Sequence, residues 1–294
     1  MSPTQQTRRS RLSDITDADI TANQARFPGV FGDTRGQRWF KRALVLGGSG
    51  YLVFCVWAFE ITIEKLFGGF GKMGHVLYSM MIWKDFSNWD FAGIFLGLGE
   101  TLGMAFLGTV IASVFSLVIG FIAAKNVVAN AIIHHAIRRF LDLLRGVDTL
   151  VWALVFVRAV GLGPLAGVLS IIVSDTGTLS KLYSEAIENV DRKPIDGVKA
   201  TGASNMQRYR FGFLPQVMPV FLSLSLYWFE SNTRSATILG IVGAGGIGMQ
   251  LSERMKVQYW DQAAFIILLI LVMVVIIDTM SKHVRMKLIG THGL

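Results

Sequence analysis

Glu230 and Arg234 stand four residues apart inside an apolar run that extends from Pro215 to about Val242. In a helix that spacing sets both on one face, the acid N-terminal to the base, which is the favourable order. Two chemistries are open to the pair. Arg234 can offer its planar fork to an oxyanion, with Asn232 and Ser235 as lighter hydrogen-bond partners. Alternatively, Glu230 and Arg234 neutralise each other and set helix packing. Arg158 and Asp175 lie in two further apolar runs, where they can pair or line a polar path, a structural role being the favoured reading. Lys181 and Glu185, again four apart, read as solvated charges on a helix face.

Other candidate chemistries fail on context. Gly243-Ala-Gly245-Gly246-Ile-Gly248 has the spacing of a dinucleotide-binding loop, which also needs a strand before it and a ribose-gripping acid well after it. Here the run ends an apolar helix, so its small residues point to a hinge or a close helix contact. Gly71-Lys72 lacks the spaced glycine and the Ser or Thr of a phosphate-binding loop, so any ATP belongs to a partner. His134 and His135 are adjacent and point apart on a helix, which suits interfacial side chains better than metal ligands. No His-Glu-x-x-His, paired Cys or Gly-x-Ser-x-Gly is present, so metalloprotease and serine hydrolase chemistry have no support and no metal or cofactor is expected.

The elements that must hold these residues are membrane helices. Of 294 residues 52% are hydrophobic and 16% charged, too apolar for a soluble domain of this length. A net charge of +8 does not signal nucleic acid, because the basic residues sit between apolar runs rather than on a polar, aromatic-studded surface. Residues 1–42 read as a basic cytoplasmic tail and 43–63 as an uncleaved first span. Residues 64–99 read as an external loop, with Trp83 and Trp89, after Trp57, at the membrane surface. A core over 100–285 then carries five more spans: 100–124, two within 147–187 divided at Gly161-Leu-Gly163-Pro164, 215–242 and 263–280. Between the second and third spans, residues 134–145 alternate arginines with apolar residues at helical spacing, as a helix lying along the cytoplasmic face would. The segments this topology puts inside, with the short end 286–294, hold twenty Lys and Arg against five outside, which favours six spans with both termini cytoplasmic. Cys55, the single cysteine, lies in the first run and reads as packing.

The loop 188–214 is too long for a simple connection and too patterned for a tail, and reads as built to meet a partner. Thr201 and Gly202 can turn the chain between two short helices, Ser204 or Asn205 can cap the second, and Pro215 suits the first turn of the next span. Its acid at 196, glycine at 202 and Leu214-Pro215 resemble the coupling loop of binding-protein-dependent ABC importer permeases, although Asp196-Gly197-Val198 replaces the family's usual Glu-Ala-Ala. From Gly97 onward, Arg138-Arg139-Phe-Leu-Asp142, Ala159-Val-Gly-Leu-Gly163-Pro, Ala200-Thr-Gly-Ala203, Phe229-Glu-Ser-Asn-Thr-Arg-Ser-Ala236 and Val242-Gly-Ala-Gly-Gly-Ile-Gly248 together resemble the phosphonate-type permeases.

That resemblance implies an all-α, type I ABC importer permease in the cytoplasmic (inner) membrane of a prokaryote. Two copies would pair as a homodimer in the lipid bilayer. Each would dock Asp196, Gly197, Ala200, Thr201, Gly202, Ala203, Ser204, Leu214 and Pro215 into a cytoplasmic ABC ATPase dimer that holds the ATP and Mg, and an extracytoplasmic solute-binding protein would deliver the solute. The chain itself would be no enzyme. Its cargo would be phosphonate or a related small phosphorus oxyanion, passing Arg234, Asn232, Glu230, Ser235 and Arg158, with Gly243, Gly245, Gly246 and Gly248 as a hinge near the outer gate. Another small solute such as an amino acid stays open. An ion-gradient secondary transporter is a different class that predicts an internal repeat, and no repeat is evident.

Overall fold

The computed structural model describes residue 22 and residues 35–290 apart from 61, 85 and 129. Most of the basic tail expected over 1–42, and residues 291–294 of the expected C-terminal end, lie outside the described residues. Among the described residues all regular structure is helical. The chain divides into two units, residues 1–74 and 75–294. The first holds α1 (Arg35–Ala58) and the start of α2 (Ile63–Met81). From Ala43 onward α1 is apolar and exposed on nearly every side, Leu46 and Trp57 included, the state of a helix whose solvent is itself apolar.

In the second unit α3 (Phe91–Ala123) is 33 residues and about 50 Å long. It starts at Phe91 instead of Glu100 because Asp90 caps it, accepting the Gly93 N–H at 2.9 Å. Glu100 therefore sits inside the helix. Before it, Trp83, Phe86, Trp89, Phe91 and Phe265 cluster mostly in tilted and edge-to-face pairs with ring centroids 4.9–6.2 Å apart. Trp89, expected at the membrane surface, is buried in this cluster and donates its indole N–H to the Lys84 carbonyl at 2.9 Å.

The chain continues through α4 (Ala131–Gly146), α5 (Thr149–Val160) and α6 (Pro164–Glu188). Two short helices, α7 (Arg192–Ala200) and α8 (Asn205–Arg208), and a π turn (Tyr209–Phe213) lead into α9 (Leu214–Ile241). A glycine turn then leads to α10 (Gly246–Lys256), and α11 (Trp260–Gly290) ends the fold. Four stretches are long and apolar enough to cross a membrane: Phe91–Ala123, Pro164–Glu188, Asn205–Lys256 and Trp260–Leu288. Trp39–Ala58 and Ile63–Met81 add a fifth if together they form one broken span. Alone, α5 is too short, since its 12 residues rise about 18 Å against a hydrocarbon core of about 30 Å.

Among the described residues the broadest contact joins α3 to α6. The two run parallel and in register: Gly167 lies against Met104, Gly108 against Ile171 and Gly120 against Tyr183. Small residues at these crossings let the helices approach, which in lipid is what packing depends on. Met104, Ala105, Ile171, Ala236 and Leu239 fill one buried cluster, and Ala112, Leu179, Tyr183, Val217 and Phe221 a second, so α9 closes the groove between α3 and α6.

The helix α4 follows α6 in the antiparallel sense, where a helix lying across the cytoplasmic face was expected. Arg138 meets Glu188 at 3.0 Å, Lys181 meets Asp142 at 2.7 Å, Gly177 lies against Leu144 and Arg145, and Thr149 of α5 bonds Ser174 at 2.9 Å. Across the break at Val147-Asp148, α4 and α5 thus form one continuous partner of α6. Lys181 is accordingly tied to α4 instead of being a simply solvated charge, while Glu185 stays exposed. His134, expected at an interface, is buried and donates Nδ1–H to the Ala123 carbonyl at 2.8 Å, and His135 is exposed.

Alanine at Gly248 would bring its Cβ to 1.8 Å from the Thr237 carbonyl oxygen, a backbone atom with nowhere to go. Gly248→Ala is expected to cost about 3 kcal/mol or more. Gly99→Ala, with nothing within 4 Å, should leave stability level or slightly raised. Thermal unfolding in detergent reads both variants, and equal midpoints would refute this packing.

Candidate functional site

The segment between α6 and α9 is ordered by its own side chains. Asp191 caps α7, accepting the Lys193 N–H at 3.0 Å, and the helix closes at Thr201 with Gly202 N–H donating to the Lys199 carbonyl at 3.0 Å. Gly202 takes φ +78°, the left-handed turn that glycine enters without strain. Of the two expected caps Ser204 is the one used, in a reciprocal box: its backbone N–H donates to Gln207 Oε1 at 2.8 Å, and its hydroxyl accepts the Gln207 N–H. Leu214 and Pro215 open α9 as the sequence suggests.

Only Ile195 of α7 is buried, pressed against Gly212 of the π turn, where a Cβ would stand 3.1 Å from the Ile195 Cα. Gln216 adds a bond from its Nε2 to the Asp191 carbonyl at 3.2 Å. Asp196, Gly197, Ala200, Thr201, Gly202 and Ser204 are exposed, and Ala203 is half-buried. Pro194, Val198, Gly202, Ala203, Gln207 and Phe211 line a shallow groove of about 750 Å³ between α7 and α8. The result is a capped, outward-facing platform held by one apolar foot at Ile195. Sequence reasoning missed Ile195 and Asp191. The largest apolar residue of a polar helix, and an Asp just before that helix, were the available signals.

The charges within the spans pair differently from the sequence expectation. Glu230 and Arg234 do share a face, but their closest approach is 3.7 Å. Each has a nearer partner on α11: Arg234 donates to Asp278 at 3.1 and 3.3 Å, and Arg285 donates to Glu230 at 2.6 Å. The four form an alternating string, Asp278, Arg234, Glu230, Arg285, that staples α9 to α11. Glu230 is mostly buried, while Arg234 and Asp278 leave 46% and 40% of their side chains exposed. Asp278, the only acid in the apolar run 263–280, could have been found from sequence. Ser235 is half-buried beside them and Arg158 is exposed on α5.

Asp175 takes Asn232 as its partner, not Arg158. Asn232 donates its amide to the Asp175 carboxyl and to Thr109 Oγ1, the latter at 2.9 Å, and both Asp175 and Asn232 are buried. Asn232 is therefore occupied inside the bundle, away from any open path. Nearer the C-terminal end of α6, Lys181 donates to the Asp142 carboxyl at 2.7 Å.

At the far end of α9 the glycine run is a tight, fully packed turn. Gly243, Gly245 and Gly246 take φ +96°, +80° and +74°, and Gly163 N–H donates to the Gly243 carbonyl at 3.0 Å. Pro164 fills the space where a Cβ of Gly245 would stand, and Gly248 lies on the Thr237 carbonyl. The first N–H groups of α10 are taken by α3: Gly246 donates to Glu100 Oε2 at 2.9 Å and Ile247 to Thr101 Oγ1 at 2.8 Å. The close helix contact is realised with every one of these donors occupied. Glu100 and Thr101 gave no local sign of this role.

Residues 116–289 match the family described as binding-protein-dependent transport system inner membrane component. The chain is 36% identical over 257 residues to the putative phosphite transport system permease protein HtxC of Stutzerimonas stutzeri, covering 87% of this chain and 89% of that protein. It is 46% identical over 117 residues to the putative cryptic phosphonate transport system permease protein PhnE2 of Escherichia coli (strain K12), covering 40% of this chain and 96% of that one. Among solved structures, an inward-facing form of the MetNI methionine ABC transporter superposes with TM-score 0.59 at 21% identity, over 67% of this chain and 96% of the other, a likeness of fold. Parallel glycine-packed spans, an exposed capped segment between two of them and these likenesses converge: the chain belongs to the binding-protein-dependent transport system inner membrane components and is a multi-pass membrane permease subunit.

Proposed function

We propose that this chain is the transmembrane subunit of an ATP-driven importer for phosphite, phosphonate or a related small phosphorus oxyanion. The observation that carries the proposal is the α7–α8 platform, with rigid caps at Asp191 and Ser204, one buried foot at Ile195 and an otherwise exposed surface. A partner ATPase dimer, holding ATP and Mg, seats on Asp196, Gly197, Ala200, Thr201, Gly202, Ala203 and Ser204 and pushes through Leu214 and Pro215 into α9. A floppy connection would absorb that push, whereas capped helices locked between two surfaces transmit it. The phosphorus oxyanion follows from the relatives, whose names specify phosphite and phosphonate at 36–46% identity, against about 25% for a probable D-methionine permease.

The topology fits six spans with both termini cytoplasmic. α4 and α5 run as one rod against α6, which supplies the length that α5 lacks alone, and Lys125, whose N–H bonds Glu188 at the end of α6, lies at the same end as Arg192, Lys193, Lys199, Arg208 and Arg210 of the platform segment. Arg234 and Asp278, exposed within the spans, call for cover by a second copy or by a water-filled path, since lipid cannot solvate them. We assign Arg234, with Glu230 and Ser235 beside it and Arg158 on α5, to that path, and the turn at Gly243, Gly245, Gly246 and Gly248 to its outer closure. An extracytoplasmic binding protein delivers the solute.

Reconstitution with the partner ATPase and binding protein tests the reading directly. ATP-dependent uptake of labelled phosphite or methylphosphonate, exceeding that of methionine, is the expected result; uptake that continues without the ATPase would refute it. Gly202→Val forces a branched side chain into a left-handed turn at a local cost of about 1–2 kcal/mol. It should abolish co-purification of the ATPase with little change in the melting point of the isolated chain. Arg234→Gln should lower uptake about tenfold. If Arg234 merely answers Asp278, the double variant R234Q/D278N will recover; if it meets the anion, as assigned here, the double variant stays slow.

A further inference from the structure

The two helices that carry the platform are tied to each other at three levels. Next to α7, the rings of Tyr183 and Phe221 stack at 4.2 Å, the Tyr183 hydroxyl meets Ser225 Oγ at 2.6 Å, and Gln216 reaches back to the Asp191 carbonyl. At the other end, Gly163 donates to the Gly243 carbonyl and Pro164 fills the place of a Gly245 side chain. Between them, near the middle of the 25-residue α6, Asn232 donates to Asp175 and, with the same amide, to Thr109 of α3. Asp175 is 2% exposed and Asn232 3%, and among the described residues no ion pair reaches Asp175.

A carboxyl group in mid-bilayer, with a neutral amide as partner and no cation, is costly to keep for packing alone, since a Leu in its place would fill similar space without a desolvation cost. What an apolar pair cannot supply is direction. Leu against Leu tolerates sliding and rotation, whereas an amide–carboxyl bond in low dielectric fixes both the register and the azimuth of α9 against α6. Stacked aromatics at one end and a glycine turn at the other leave this central contact to decide whether the helices move as one body.

We propose that Asp175 and Asn232 are positioning residues of transport, a midspan crossbar that makes displacement of the α7–α8 platform arrive at the Gly243–Gly248 turn. The proposal rests on the importer reading above. It separates hydrolysis from movement: without the crossbar the ATPase still docks and turns over, but α9 yields in its middle and the turn does not follow. Thr109 joins α3 to the same bar through its hydroxyl, which also donates to the Ala105 carbonyl at 2.7 Å.

The test is the number of anions taken up per ATP hydrolysed by the complete complex with its binding protein in proteoliposomes. In Asp175→Ala, hydrolysis should stay within about twofold of the parent while uptake falls about tenfold. The exchange D175N/N232D, which keeps an amide–carboxyl bond with its ends reversed, should recover most of the ratio. Should D175A fail to assemble, N232S, whose hydroxyl falls short of Asp175, is read by the same ratio. Uptake and hydrolysis falling in proportion, an unchanged ratio in D175A or N232S, or an exchange variant that hydrolyses normally without recovering uptake, would each overturn the crossbar. Absence of ATP-driven uptake in the parent complex would instead sink the importer reading itself.

Discussion

The close parallel contact of α3 with α6 is the constraint from which the rest of the fold is built. In hydrocarbon no water drives helices together, so the contact depends on dispersion across surfaces that can approach closely. Gly108, Gly120 and Gly167 provide those surfaces, each meeting a side chain on the partner helix at a distance that leaves no room for a methyl group. With α3 and α6 in register, Thr109 and Asp175 come to similar depth, and α9, running the other way in the groove between them, brings Asn232 to both. The same register sets Ser113 and Tyr183 around Ser225. The polar contacts are thus consequences of the apolar seam, and each finds its partner because the seam has already fixed the depth.

Polar groups inside a bilayer must be answered by the protein, and the two ends of the bundle answer them differently. At the Gly243–Gly248 turn, backbone N–H groups are met by side chains of α3, so the start of α10 is welded to the bundle. At the α7–α8 platform the helix ends are capped by residues of the platform itself, Asp191 and Ser204, and Ile195 makes the one deep apolar contact. Self-capping keeps the platform's shape independent of the bundle. If the platform seats in an ATPase as proposed, it gains from holding its shape before docking, because less ordering is then lost.

Much of this was legible in the sequence where the signal is local. The spans announce themselves by composition, Thr201-Gly202 by turn chemistry, Ser204 together with Asn205 as residue types that cap helices, and Pro215 by its place in a first turn. What was not legible depends on pairing between distant positions. Glu230 and Arg234 look like partners because they are four apart, but Asp278 and Arg285 lie across the α9–α11 seam and reach them more closely. The arginines of α4 suggested a helix on the membrane surface, since nothing within α4 reveals that Lys181 and Glu188 stand ready on α6. Asp90 moved the start of α3 to Phe91 for a local reason that the apolar pattern, beginning early and continuing past Glu100, had obscured.

The string Asp278, Arg234, Glu230, Arg285 also bears on how a conduit can attract an anion without holding it. Two acids and two bases alternate, so the string carries no formal net charge, and each guanidinium is already engaged. On the proposed assignment of Arg234 to the anion path, an oxyanion would meet an exposed edge of a guanidinium whose other donors face Asp278, and would gain only the difference between its own bond and a carboxylate bond of similar kind. Such an exchange would lower the barrier to passage without creating a well. A bare arginine in the same low-dielectric setting would bind an oxyanion strongly enough to stop it, which is the property a binding protein needs and a channel must avoid.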